Sequence, residues 1–285
     1  MNSKDHHNYS IPVLIAAICA VSTAAPLAKF ANDVHPIAIG FWRTLLVGFV
    51  LLLSIKPHQL KISLKNGSLA ICAGILLAFH FWTWFASLQY TSVLRSTTLV
   101  CLNPVWAGIM EGILLQNKPS RQFWIGVTIA IMGVGLMTSG DLSDGALIGD
   151  ALALLGGFLG AAYLIVGRVV RQDMAINAYG AFICLVCAAS MSLLSIPMDV
   201  SLAGDSVQAT WLILLAMAIG PQLTGHIGLN YCVRYLSAAN ISLALLLEPV
   251  GAAILAIIFL NELPSGMEIL GSILILIGVG VGARK

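Results

Sequence analysis

The run Leu246-Leu247-Glu248-Pro249-Val250 interrupts an otherwise apolar segment near its middle. That segment extends from about Ser237 to Leu260, long enough to cross a bilayer as a helix. An ionised glutamate facing lipid there costs roughly 2.5–3.5 kcal/mol, and a proline removes one helical N–H and frees a carbonyl. Neither residue suits a plain anchor. Shifted back by 145 positions, the same segment reappears as Val93 to Leu115, with Asn103-Pro104 standing where Glu248-Pro249 stands.

Composition agrees with a membrane setting. Of 285 residues, 59% are hydrophobic and only 9% charged, against about a quarter charged in soluble domains. The net charge of +2 is small, and the basic residues are scattered over short loops, which gives nucleic-acid binding no support. The six cysteines (Cys19, Cys72, Cys101, Cys184, Cys187, Cys232) all fall inside apolar segments. They read as small core hydrophobes rather than a disulfide framework or a metal site, the Cys184/Cys187 C-x-x-C included. No cofactor is expected. The first apolar segment is a full span without a small-residue cleavage pattern, so it reads as a helix that is kept.

Ten segments of about twenty apolar residues follow one another: Ile11–Ala31, Pro36–Ile55, Ser68–Leu88, Val93–Leu115, Gln122–Ser139, Ala146–Gly167, Ile176–Ile196, Ala209–Cys232, Ser237–Leu260 and Gly266–Ala283. At about 1.5 Å per residue each covers a hydrocarbon core of about 30 Å. The opening Met1–Ser10 is polar and reads as unstructured. With the N-terminus in the cytoplasm, the cytoplasmic side collects Lys4, Lys56, Lys61, Lys65, Lys118, Arg121, Arg168, Arg171, Arg234, Arg284 and Lys285, eleven of the fourteen basic residues. Asp33, Asp141, Asp144, Asp199, Asp205, Glu262 and Glu268 lie on the other side or at its rim. The rule that short cytoplasmic loops are rich in Lys and Arg therefore gives an all-α integral membrane protein of ten transmembrane helices, N-in and C-in.

The offset of 145 also matches Tyr90 with Tyr235, Ser92 with Ser237, Pro104 with Pro249, Pro119 with Pro264, Ser120 with Ser265, Gly126 with Gly271, Gly133 with Gly278 and Gly135 with Gly280. Identities on Gly and Pro mark turns and close helix contacts, not shared apolar composition. The chain therefore divides into two five-helix repeats, residues 1–140 and 141–285. An odd helix count inverts the second copy in the membrane. Inverted repeats enclosing a midplane site are an architecture of secondary transporters.

With these motifs in view, the chain resembles the drug/metabolite transporter superfamily, in its ten-helix form built from two EamA domains. The resemblance rests on Leu102-Asn103-Pro104 and Leu247-Glu248-Pro249, each followed by a span ending in a polar cluster and a proline. Those clusters are Gln116-Asn117-Lys118-Pro119 and Asn261-Glu262-Leu263-Pro264, and the glycine-spaced fifth and tenth helices close each unit. The first copy departs from the family's pattern where Gln116-Asn117 replaces the usual Gly-Glu pair. The resemblance implies transport of small organic metabolites, often export of amino acids or related compounds. These motifs mark the fold far better than the substrate.

Several buried polar residues are candidates for a substrate pathway. His80 and Trp84 share one face of helix three, where they either stack on a planar or amphipathic solute or pack between helices. Gln222, His226 and Asn230 recur every four residues in helix eight, a stripe that must meet other helices, a solute or water. Under the 145 offset Gly225 falls opposite His80, so His226 is displaced from it by one position. Arg43, two turns into helix two, needs a carboxylate, a carbonyl or an anionic substrate group. Asn103 stands opposite Glu248 in the repeat.

Two readings are open for Glu248: a group that exchanges a proton and couples transport to a proton gradient, or a fixed partner holding a broken helix together. Pro26, Pro104, Pro221 and Pro249 are expected kink points. Lys29 and Arg95 are expected to snorkel, Glu111 to be a solvated carboxylate, and Gly156/Gly160 and Gly278/Gly282 to pack helices closely.

A nucleotide-hydrolysis motif is absent from the sequence, as are H-E-x-x-H and paired-aspartate motifs, which leaves an enzyme without support. The sparse polar residues do not form the rings a channel needs. The expected function is a secondary transporter, an exporter by alternating access with possible proton coupling, of small organic metabolites such as amino acids or amphipathic relatives. A channel or uncoupled facilitator is the alternative. The expected setting is a bacterial cytoplasmic membrane, as monomer or homodimer, with a small-molecule substrate and lipid as partners.

Overall fold

The computed structural model describes residues 3–60, 62–138, 144–260 and 263–284. Lys61, Asp141, Asn261, Glu262 and Lys285 lie outside the described residues, as do the side chains of Lys4, Asp144 and Glu268. Among the described residues the chain is all-helical. Its helices are α1 (Ser3–Val21), α2 (Ala24–Phe30), α3 (Pro36–Leu53), α4 (Leu64–Ser87), α5 (Val93–Val100), α6 (Asn103–Leu114), α7 (Arg121–Thr138), α8 (Asp144–Val170) and α9 (Ile176–Ser195). Next come α10 (Asp205–Ala209), α11 (Trp211–Met217), a π-helical segment (Ala218–His226), α12 (Ile227–Cys232), α13 (Ala238–Leu245), α14 (Glu248–Leu260) and α15 (Gly266–Gly282). Helix α1 already runs at Ser3, so the polar opening is not the unstructured lead that its composition suggested.

Among the described residues, eight helical stretches are long and apolar enough to cross a membrane, once the broken pairs are joined as Tyr9–Phe30, Arg95–Leu114, Trp211–Cys232 and Ala238–Phe259. Helices α7 and α15 carry shorter apolar stretches, Arg121–Leu136 and Ile269–Gly282. Large apolar side chains point outward all along the bundle, among them Ile15, Phe49, Ile113, Leu212 and Phe259. Arg43, Gln222 and Asn230 are wholly buried inside it. Such a distribution suits lipid as the surrounding solvent.

Local chemistry fixes the breaks. Ser92 and Ser237, equivalent under the 145-residue offset, each cap a short helix: Ser92 Oγ accepts from Arg95 N at 3.2 Å, and Ser237 Oγ from Asn240 N at 3.1 Å. Pro104 and Pro249 stand in the first turn of α6 and α14, where a missing N–H costs nothing. They start a second helix after each break rather than bending a continuous one. Pro26 sits likewise near the start of α2, after a break at Ser22-Thr23. Pro221 lies within the π segment, whose wide turns end with Ile227 N donating to Gln222 O, five residues back.

Helix α7 packs on α15, α4 on α8 and α9, α3 on α9, and α1 on the π segment and α12. The breaks face each other, α5 against α14 and α6 against α13. The α7–α15 pair touches backbone to backbone. A Cβ on Gly126 would stand 2.4 Å from Gly278 O, and one on Gly133 would stand 2.5 Å from Gly271 O. These two contacts run the helices antiparallel. On α8, a Cβ at Gly157 would lie 2.5 Å from Val100 O, and one at Gly160 would lie 2.9 Å from His80 Nδ1.

Charged side chains near the helix ends do not snorkel. Arg95 forms a two-pronged bond with Asp150 at 2.8 and 2.6 Å, joining α5 to α8. Lys29 Nζ donates to Leu88 O at 2.7 Å, at the C-terminus of α4. Glu111 is wholly buried, against the solvated carboxylate that its place near a helix end suggested. Its oxygens accept from Ala239 N at 2.7 Å and from Asn117 Nδ2 at 2.8 Å, with Arg168 Nε at 3.3 Å. Arg168 donates onward to Val233 O and Leu236 O, and Arg171 to Asn230 O and Met174 O. These contacts tie α6 to α8, α12 and α13 at one end of the bundle.

The departure at Gln116-Asn117 has a physical reading here. Asn117 is an amide that donates to Glu111, where a second carboxylate would repel it. Gln116 takes a left-handed backbone with φ of 53°, a conformation that glycine adopts without a Cβ clash. Gln116→Gly is expected to gain about 0.5 kcal/mol after the added chain entropy is deducted, read as a higher Tm of the detergent-solubilised protein.

Candidate functional site

The breaks, α4, α8 and the π segment converge on a small cavity inside the bundle. It is lined by His80 and Trp84 of α4, Cys101 and Asn103 at the α5–α6 break, Tyr163 of α8, His226, and Glu248 at the start of α14. The space is about 30 Å³, room for a water or two and far below the several hundred Å³ of a metabolite site. At this size the cavity cannot hold a metabolite without its walls moving apart.

Each wall residue is held by a local device. His80 Nδ1 donates to Gly156 O at 2.8 Å, and the bare Gly160 backbone leaves room for its ring. Trp84 stacks one turn further along α4, its ring 6.0 Å from that of His80. His226 meets Phe81 edge-on at 4.8 Å and His80 at 6.0 Å. Asn230 donates through Nδ2 to Tyr163 Oη and to His226 O, locking the lower part of the stripe. Gln222 accepts from Arg43 Nε at 3.1 Å and donates to Cys184 Sγ at 3.3 Å. Glu248 Oε2 takes a long thiol contact from Cys101, 3.6 Å.

Much of this polar surface is left without a protein partner. Among the described residues, Arg43 Nη1 and Nη2, Trp84 Nε1, Asn103 Oδ1, His226 Nδ1 and Asn230 Oδ1 are buried and unbonded. A buried polar atom left unpaired costs about 1–3 kcal/mol, so several together mark a place where water or a solute completes the bonds. Of these, Trp84 Nε1, Asn103 Oδ1 and His226 Nδ1 belong to residues that line the cavity, where Glu248 adds a carboxylate, while Arg43 lies behind Phe81. Donors and acceptors around one cavity suit a small polar solute or water.

The sequence model of the EamA-like transporter family matches this chain twice, over residues 9–139 and 147–281. The chain belongs to the EamA-like transporter family. It is thus a multi-pass membrane transporter of the drug/metabolite type, and it resides in the cell membrane. It is 26% identical to the uncharacterized transporter YwfM of Bacillus subtilis, over 95% of this chain and 92% of that one. It is 22% identical to the threonine/homoserine exporter RhtA of Salmonella typhimurium, over 91% of this chain and 86% of that one. A protein known from a crystal structure overlays with a TM-score of 0.78 at 17% identity, covering 97% of this chain and 98% of that one. At that identity the overlay speaks for the fold alone.

Within this EamA protein the structure gathers His80, Trp84, Asn103, His226 and Glu248 around one cavity, with Arg43 and Gln222 bonded to each other behind Phe81. Asn230 stands one turn further on, bonded to Tyr163. Sequence reading missed Tyr163, Cys101 and the role of Gly160. The signal for Tyr163 was a lone hydroxyl three residues after the second glycine of Gly156-x-x-x-Gly160. That close-packed stripe brings α8 near enough to α4 for a side chain on the same helix to enter the cavity.

Proposed function

We propose that this EamA protein is a secondary carrier that exports small organic metabolites, amino acids or related amphipathic compounds, by alternating access. Its ten spans form two inverted five-helix repeats, N-in and C-in, with the Arg168/Arg171 end in the cytoplasm. The observation that carries this reading is the small internal cavity lined by the unpaired Trp84, Asn103 and His226, which come from both halves of the chain.

The packing supports the inverted arrangement. Contacts of α4 with α8 have their counterpart in α1 with the π segment, that of α5 with α8 in α13 with α1, and that of α6 with α8 in α14 with α2 and α1. The pairs α3–α9 and α7–α15 are their own counterparts. Two such halves can rock about the cavity while their internal contacts persist. The likeness to a threonine/homoserine exporter favours an amino-acid cargo.

Glu248 is placed to carry the coupling proton, because its carboxylate faces the cavity with one weak thiol contact. Purified protein in proteoliposomes, given a panel of labelled amino acids with and without a pH gradient, tests both parts. The expected result is gradient-driven flux of at least one panel member, with Glu248→Gln losing the gradient-driven component and keeping exchange. Flux that ignores the gradient makes Glu248 structural. Absence of any panel flux sinks the amino-acid cargo, and ion conductance in the same vesicles favours a channel.

A further inference from the structure

A second pocket of about 320 Å³ opens at the end of the bundle opposite Arg168 and Arg171, lined by Lys29, Asn32, Pro36, Ile39, Phe85 and Gln89. Pro36, Ile39 and Arg43 follow one face of α3 at helical spacing, so Arg43 lies one turn beneath the pocket floor. Phe81, Phe85 and Leu88 descend α4 in the same way. The floor is Phe85. Its ring centroid is 5.5 Å from the Arg43 guanidinium carbon, and that of Phe81 is 4.3 Å away. The two rings stack on each other at 5.8 Å and 20°. Arg43 is 0% and Phe85 2% exposed, so this single aromatic layer separates the guanidinium from the pocket.

Beneath the layer Arg43 is unsatisfied. Its Nε donates to Gln222, while Nη1 and Nη2 are buried without partners. A guanidinium carries five N–H donors in a planar fork that matches a carboxylate bidentately. The two rings offset part of the cost of burying it, but aromatic faces accept no in-plane N–H bonds. An anionic group on a solute does. Lys29, in the pocket wall above, is a second cation on the same route.

We propose that Phe85, backed by Phe81, is the outer gate of this transporter, and that a solute's anionic group passes between the Lys29 pocket and the Arg43 guanidinium when that gate swings aside. The proposal rests on the carrier reading. It adds a route, a gate residue and a requirement that the cargo bear an anionic group such as a carboxylate.

Cys184 is a native reporter, since its sulfur accepts from the same Gln222 that holds Arg43. A full-length protein retaining only Cys184, in sealed right-side-out vesicles, is treated from outside with two membrane-impermeant methanethiosulfonates, one sulfonate and one quaternary ammonium, and labelling rates are read by mass spectrometry. Phe85→Ala is expected to raise the sulfonate rate roughly tenfold, as opening a lid does. Phe85→Leu, which keeps apolar bulk and guards against misfolding of the alanine variant, is expected to fall between. With the gate removed, the sulfonate should react about tenfold faster than the ammonium, and Arg43→Met should abolish that preference.

A sole cysteine at Asn32→Cys, in the pocket above the gate, should label at the same rate with or without Phe85. Unchanged Cys184 labelling in both Phe85 variants, a charge preference that survives Arg43→Met, or an Asn32→Cys site unreachable from outside would each overturn the proposal. Labelling needs no transported solute, so failure of the amino-acid panel and failure of the gate are separate results.

Discussion

Glu111→Ala is expected to cost about 3 kcal/mol, the range seen when one partner of a buried ion pair is removed, trimmed because the Arg168 side chain is a quarter exposed. The loss has three parts. Ala239 N at the start of α13 loses its acceptor, Asn117 loses the oxygen that its amide meets, and Arg168 keeps its carbonyl partners but lacks a counter-charge. Glu111→Gln retains an oxygen for Ala239 N and should cost about half as much. The double change Glu111→Ala with Arg168→Ala should cost clearly less than the sum of the two single changes, since the residues share one network. Melting of the detergent-solubilised protein, followed by size-exclusion chromatography, reads all four variants. Strict additivity, or a Tm for Glu111→Ala equal to that of the native protein, would show that the carboxylate is not holding the helix ends together.

Gly126→Val is expected to be at least as severe, for a different reason. The new Cβ meets Gly278 O at 2.4 Å and the Gly282 backbone at 2.6 Å, and no rotamer moves backbone atoms aside. Helices α7 and α15 must separate, giving up their closest packing along the whole seam. Overpacking alone costs about 1–3 kcal/mol, and small-residue packing is a main source of helix association in lipid. Gly278→Val should behave alike, because its Cβ would meet Gly126 O at 2.6 Å. Gly135 and Gly280 are the contrast. A Cβ on either would have nothing within 4 Å, so Gly135→Ala and Gly280→Ala should be neutral or stabilising by up to about 1 kcal/mol, alanine being the better helix former. Similar losses from both pairs would mean that these glycines matter for something other than contact.

That contrast also marks what a sequence can disclose. Gly126, Gly133 and Gly135 recur alike at the 145-residue offset, yet two of these pairs build a seam and one faces open space. Repetition reports ancestry, and which face a helix turns inward is decided by its neighbours. The same limit explains Glu111, Arg95 and Lys29. Hydropathy places each near a helix end, where water is the default partner, but each meets a helix terminus or an opposite charge contributed by a distant segment. The polar stripe of helix eight and the His80/Trp84 pair were legible because unpaired polar groups cannot face lipid wherever the neighbours stand. Phe85 was not, since an aromatic ring suits lipid, core and gate equally.

The π segment settles a mismatch of count. Under the 145-residue offset His80 falls opposite Gly225, one short of His226, yet the two imidazoles come within 6.0 Å of each other. Each residue added to a regular helix turns everything beyond it by about 100°, which would swing His226 and Asn230 away from the centre. Wide turns spread the odd residue over Ala218–His226 instead. The segment works as a vernier. It lets the Trp211 end of this span stay in phase with α3 while the Asn230 end stays in phase with α8, so that two sequences out of step by one residue still point their histidines at each other.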